Sequence, residues 1–392
     1  MNGRRNWGKI AEPRVKPVAQ GHHRVIFIDL ARAMAVVMMV YGHTVSALLA
    51  PEYRTGAWFD LWIFQRSLTS SLFLLLSGFA FSIATTRHWA SHTRLTPGVL
   101  KRARRFALFI LLGYALHFPV RHFADLAYAS EERWRSFFVV DVLQLIGVTF
   151  LFIQLLVLTV KSRRVFMVVS FVLALAIIYA APWAWSRDWT ASMPDVLAAY
   201  LSPSTGSQFP LVPWAGYVLM GAAAGQVYAR WGAADLKRFA NRALLIPGLV
   251  ILPLTWNRGW EGPLARFGAG DSNWVPGEVI FRAGACFVIL ALMAHASQRI
   301  ARLPHLFGAV AQESLLVYFV HLCIVYGSIW NVGLTRYYGE SLSLPATVGV
   351  VVVIEAAMVL LAWQWNRLKH HRPRTARWIS FAVGALLVGY LV

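Results

Sequence analysis

The chain has 392 residues, 58% of them hydrophobic and 14% charged, with a mean hydropathy of +0.55 and a formal net charge of +20. That is the composition of an integral membrane protein rather than a soluble one. In a soluble protein the basic surplus would suggest nucleic acid. Here the Lys and Arg residues sit in alternate loops between apolar runs, which is the positive-inside pattern, so no nucleic-acid partner is expected. Cys286 and Cys323 both fall inside apolar runs. They make neither a disulfide framework nor a metal pattern, so they read as buried small residues and no metal is expected.

Residues 1–24 are polar and basic without an apolar core, so a cleavable signal peptide is not expected and the first span would serve as the anchor. Candidate spans follow at 25–48, 62–83, 105–120, 137–160, 165–184, 209–229, 243–257, 277–298, 308–330, 342–364 and 376–392. The expected fold is an all-α integral membrane protein with about ten or eleven transmembrane helices. It divides into a basic tail (1–24), one transmembrane domain (25–364), and a basic loop with an additional C-terminal helix (365–392). With the N-terminus in the cytoplasm, 26 of the 37 Lys and Arg residues fall in cytoplasmic segments. That bias predicts a cytoplasmic 85–104 loop and an outside 121–136 loop.

The first span, VIFIDLARAMAVVMMVYGHTVSAL, carries Asp29, Arg32 and His43. Ionisable groups are costly within a bilayer and mark functional positions. At about 100° per residue, Asp29, Arg32 and His43 share one stripe, and Arg32 and His43 lie roughly 16 Å apart along the axis. His43 falls in the outer half and is the group on the stripe that can take a proton near neutral pH. The alternative is a packing histidine that bonds a neighbouring helix. Further on, Ser77 and Gly78 in SLFLLLSGFAF suit close helix approach. Lys101, Arg102, Arg104 and Arg105 form a basic cluster at the inner mouth of the third span. It suits positive-inside anchoring, and also a phosphate clamp, because guanidinium groups grip phosphate oxygens in pairs. In the ninth span QESLLVYFVH brings Glu313, Ser314, Tyr318 and His321 into the membrane, a possible second polar path. Asp141, Gln144, Arg282 and Glu355 add buried polar groups. Outer-loop tryptophans such as Trp58, Trp134 and Trp185 suit an aromatic belt, or a surface on which sugar rings stack.

These elements, in order, resemble the membrane-bound acyltransferase family 3: Arg24, Asp29, Arg32 and ten residues to His43, then LFLLLSGF, then Arg102 and Arg105, then ESLLVYFVH. DVLQLIGVTF (141–150) and PLVPWAGYVLMG (210–221) look more like the related heparan-alpha-glucosaminide N-acetyltransferase group. The resemblance covers about residues 24 to 330, and the eleventh span exceeds the ten-helix core usual in family 3. It implies an acyl-CoA donor, usually acetyl-CoA, and a hydroxyl or amine acceptor on a glycan or glycolipid across a bacterial inner membrane. It also implies that His43 takes part in transfer, that Arg32 is required, and that Arg102 and Arg105 serve the donor side. An extended pantetheine arm has about the length of the Arg32–His43 separation. His43 would either deprotonate the acceptor or take the acyl group itself. The rival reading is a transporter or flippase using the same buried charges as a polar path.

Overall fold

The computed structural model describes residues 25–256, 275–300 and 302–390; the basic tail 1–24, Trp260 and Trp274 lie outside the described residues. In lipid the backbone must satisfy its own N–H and C=O groups, so apolar runs become helices. In chain order these are α1 (Ile26–Leu48), α2 (Ala57–Thr86), α3 (Trp89–His92), α4 (Pro97–Leu116), α5 (Glu131–Phe138) and α6 (Val142–Val160). Next come α7 (Arg163–Tyr179), α8 (Ala181–Trp185), α9 (Asp195–Ala198), α10 (Leu211–Val227), α11 (Leu236–Phe239) and α12 (Ile246–Leu254). The last are α13 (Val275–Ser297), α14 (His305–Gln312), α15 (Ser314–Val325), α16 (Leu334–Tyr338), α17 (Leu344–His371) and α18 (Pro373–Gly389). A short antiparallel ribbon, Gly327–Ser328 with Asn331–Val332, follows α15.

Among the described residues each of the eleven expected spans overlaps at least one helix, and the ninth is divided between two. Five helices (α1, α2, α6, α13 and α17) are long and apolar enough to cross a membrane alone, and α14 with α15 makes a sixth if the bent pair is one span. The protein is an all-α, multi-pass membrane protein. Helices α7, α10 and α18 have 17 residues each and α12 has 9. The 20 residues of α4 include the basic run Lys101–Arg105. Helix α17 runs on through residues 365–371, which the sequence assigned to a basic loop.

Local signals set where the helices begin. Thr96 caps α4 by accepting from Val99 N at 3.3 Å, with Pro97 at the first helical position. Asp141 opens α6 through a reciprocal pair: its carboxylate accepts from Val142 N at 2.7 Å, and Gln144 Oε1 accepts from Asp141 N at 3.2 Å. The tightest seam joins α2 to α10. A Cβ on Gly78 would sit 1.8 Å from Val218 O, and one on Gly221 would sit 1.9 Å from Leu75 O. Backbone therefore meets backbone, as small residues allow where lipid supplies no hydrophobic drive between helices. The expected close approach at Gly78 is this contact.

Helix α1 lies between two apolar clusters. Phe27, Ile28, Ala31, Ala35 and Met39 join a large cluster with α2, α6, α7, α10 and α13. Ala33, Val36, Val40, Ala47 and Leu48 join a smaller one with α14, α15 and α17. At about 100° per residue, the Asp29–Arg32–His43 stripe falls at the junction of these two faces. So the polar stripe runs along the seam between two packed bodies.

The ninth span requires a correction. It is not one helix over 308–330 but two, α14 and α15, bent by 76°. The break is at Glu313, whose φ/ψ of −98°/22° is not helical. The Glu313 carboxylate is buried and turned to α17, where Lys369 Nζ lies 2.8 Å away and Asn366 Nδ2 donates at 2.9 Å. A buried carboxylate needs such partners, and reaching them takes its residue out of helical register.

Candidate functional site

His43 lies near the end of α1, half-buried. Arg54 holds that end by donating to Ser46 O at 2.9 Å and Leu49 O at 2.7 Å, and it pairs with Glu340 at 3.2 Å. His43 Nδ1 is 3.0 Å from Nε2 of His321 on α15, and the two rings stack with centroids 5.1 Å apart. His321 is fully buried, and its Nδ1 is 2.8 Å from Val317 O. Tyr318 packs its ring edge on His321 at 5.7 Å and donates its hydroxyl to Asp141 Oδ2 at 3.4 Å. Asp141 Oδ2 is 3.7 Å from His117 Nε2. Tyr326 sets its ring 5.8 Å from His43, and Arg66 of α2 runs past Gly42, its Cγ 3.6 Å from where a Cβ there would be. Residues from α1, α2, α4, α6 and α15 thus converge at one end of the bundle.

Of the residues read from sequence, this group contains His43, His321 and Tyr318. Asp29 and Arg32 stand further along α1, about 16 Å from His43 in helix rise for Arg32. Glu313 and Ser314 belong elsewhere: Glu313 is committed to Lys369 and Asn366, and Ser314 starts α15 just after the bend. Arg66 falls inside the second span, 62–83, and was not read as a site residue; His117 and Tyr326 carried no sequence signal as site residues. Asp141 did, as a buried charge that opens the capping motif D-x-x-Q.

The basic cluster on α4 divides. Lys101, Arg104 and Arg105 are exposed and share one face. Arg102 turns inward. Its Nη1 donates to Thr85 Oγ1 at 3.0 Å and lies 3.2 Å from His92 Nδ1, while its guanidinium sits 4.5 Å over the Phe81 ring. A guanidinium has donors alone, so the His92 nitrogen facing it accepts. Burial, and then the Arg102 cation, hold the His92 pKa below its usual value. Gln154 Nε2 donates to His92 O at 3.2 Å, which ties α3 to α6. Next to this group Gln226 bonds Ser82 and Thr86, each at 2.8 Å. Among the described residues no three His, Cys, Asp or Glu side chains gather as a metal site. A cavity of about 400 Å³ between α17 and α18, lined by Trp365, Lys369, Arg377 and Ser380, lies on helices that contribute nothing to the His43 group.

Two comparisons bear on this arrangement. A family profile described as heparan-alpha-glucosaminide N-acetyltransferase, catalytic, matches residues 24–252. That is the second of the two groups that the motifs resemble. The matched segment holds His43, the α4 cluster, His117 and Asp141; His321 and Tyr318 lie beyond it. No curated protein matches the chain.

Proposed function

The chain belongs to the heparan-alpha-glucosaminide N-acetyltransferase catalytic family, a membrane acetyltransferase type, and from that premise we propose its donor, its acceptor and its direction of transfer. The donor is cytoplasmic acetyl-CoA, the acceptor a hydroxyl or amine of a carbohydrate on the far side, and the membrane the bacterial inner membrane. The loop charge bias supports the N-terminus in the cytoplasm, which puts the α4 cluster at the inner face and His43 toward the outer one.

The observation that carries the reading is the His43–His321 pair, half-buried where several helices meet, at the end of a polar stripe that begins with Asp29 and Arg32. Lys101, Arg104 and Arg105 present an exposed cationic face for the donor's phosphates. Arg102 positions α4 beneath them. The thioester then has the length of the stripe to cross before it meets His43. His43 either removes a proton from the acceptor as it attacks, or accepts the acyl group first. The acceptor meets the same atoms from the outer side, where the loop tryptophans suit the apolar face of a sugar ring.

The test uses the full chain in lipid nanodiscs with acetyl-labelled CoA and two acceptors, an aryl glucosaminide and a neutral oligosaccharide. Label should pass to at least one of them. His43→Ala should lower the rate by ~10²–10⁴-fold while insertion and donor binding persist. No transfer to either acceptor, with CoA release no faster than in His43→Ala, would overturn the reading.

A further inference from the structure

His321 carries no assigned part in the chemistry. Its hydrogen bonds nevertheless decide the state of His43. A carbonyl oxygen can only accept, so His321 Nδ1, 2.8 Å from Val317 O, carries the proton. In a neutral imidazole the other nitrogen then holds a lone pair. That nitrogen, Nε2, faces His43 Nδ1 at 3.0 Å. Two lone pairs do not face each other at that distance, so His43 Nδ1 carries its own proton and donates. His43 Nε2 is left with a free lone pair. Which ring nitrogen is available is set by the bond that the other makes, and here the orienting partner is a second, neutral imidazole rather than a carboxylate. The Asp141 carboxylate accepts from Tyr318 and faces His117 instead.

We propose that His321 is a positioning residue that holds His43 as its Nδ1–H tautomer, so that Nε2 is the reacting nitrogen, and that it shares the positive charge His43 gains during transfer. The second half of this rests on the acetyl-transfer reading above. In direct transfer, the acceptor oxygen or nitrogen bonds the acetyl carbon, the carbon–sulfur bond breaks, and the acceptor's proton passes to His43 Nε2 and on to the departing thiolate. While it holds that proton, His43 is an imidazolium whose Nδ1–H bond to His321 Nε2 strengthens. If His43 takes the acetyl group instead, the same Nε2 forms the new bond. The carbon–sulfur bond breaks and the thiolate leaves, while the acyl-imidazolium keeps its Nδ1 proton on the bond to His321 Nε2; attack by the acceptor then takes the acetyl group, returns the lone pair to His43 Nε2, and gives the acceptor's proton to the thiolate.

The test is spectroscopic first and kinetic second. The full chain, labelled with ¹⁵N in its 12 histidines, is placed in nanodiscs, and the His43 ring signals are identified by their loss in His43→Asn. The parent should show His43 protonated at Nδ1. His321→Ala should move that proton to Nε2, whereas His321→Gln, whose amide oxygen can still accept, should keep it at Nδ1. At matched thermal stability, His321→Ala should lose about a hundredfold in transfer rate, and His321→Gln should recover at least tenfold of that loss. A His43 protonated at Nε2 in the parent, or a tautomer unchanged by His321→Ala, overturns the proposal. A parent with the expected tautomer and no transfer to any acceptor supports the pairing and overturns the acetyl-transfer reading instead.

Discussion

Arg102 and its neighbours show how one run of like residues can hold two kinds of work. The four cations of Lys101–Arg105 look equivalent in sequence, yet the helix turns Arg102 onto Thr85, His92 and Phe81 and leaves the other three to solvent. Hydrogen bonds to charged groups contribute about 1.5–3 kcal/mol each when buried, less where water reaches them. Arg102→Ala is therefore expected to lower the thermal midpoint in detergent and to change donor affinity little. Arg104→Ala combined with Arg105→Ala should do the reverse, raising the donor KM with an unchanged midpoint. Calorimetric melting beside acetyl-CoA titration separates the two. An equal loss of affinity from both changes would mean that Arg102 reaches the donor directly.

Among the helices, α2 and α10 make the contact least tolerant of added volume. Gly78→Ala or Gly221→Ala puts a methyl within 2 Å of a carbonyl oxygen, so the helices must part. Overpacking of this kind costs about 1–3 kcal/mol and sometimes more. Gly349→Ala on α17 is the matched control: nothing lies within 4 Å of its Cβ position, and helix propensity favours the change by roughly 0.8–1 kcal/mol. Melting curves should show the first two falling and the third level or slightly raised; three equal curves would mean that the seam is not closed in the membrane. The seam also marks how far a single chain of letters can be read. Gly78 was legible, because small residues within an apolar run have few other uses. The stripe on α1 was legible, because a period of 3.6 needs no partner. The break at Glu313 was not: ESLLVYFVH carries no Gly or Pro to mark a bend, and the partner that draws Glu313 aside, Lys369, comes 56 residues later. The pairing of His43 with His321 spans 278 residues, and nothing local announces it; each histidine alone reads equally well as packing. Arg102's inward turn needed the positions of Phe81 and Thr85 on another helix.

Taken whole, the molecule is two packed bodies meeting along α1, and its direction in the membrane decides which end sees which substrate. Leu95 and Tyr128 are both strongly exposed, at 87% and 86%, on loops that the charge bias assigns to opposite faces. With Cys286 and Cys323 replaced by Ser, a membrane-impermeant maleimide should label Tyr128→Cys and spare Leu95→Cys in intact spheroplasts; the opposite pattern would invert the orientation and the direction of transfer with it. The α2–α10 seam has a further consequence, in time rather than space. A ribosome adds roughly 5–20 residues per second, so the roughly 140 residues between the two halves of the seam separate their synthesis by about 7–30 s. For that interval α2 is already in the bilayer while Ser71 and Ser82, buried in the finished protein, still lack the helix that covers them. The half-made chain thus depends on the insertion machinery to shield that face, and a translational pause before α10 exposes it to membrane proteases however stable the completed bundle is.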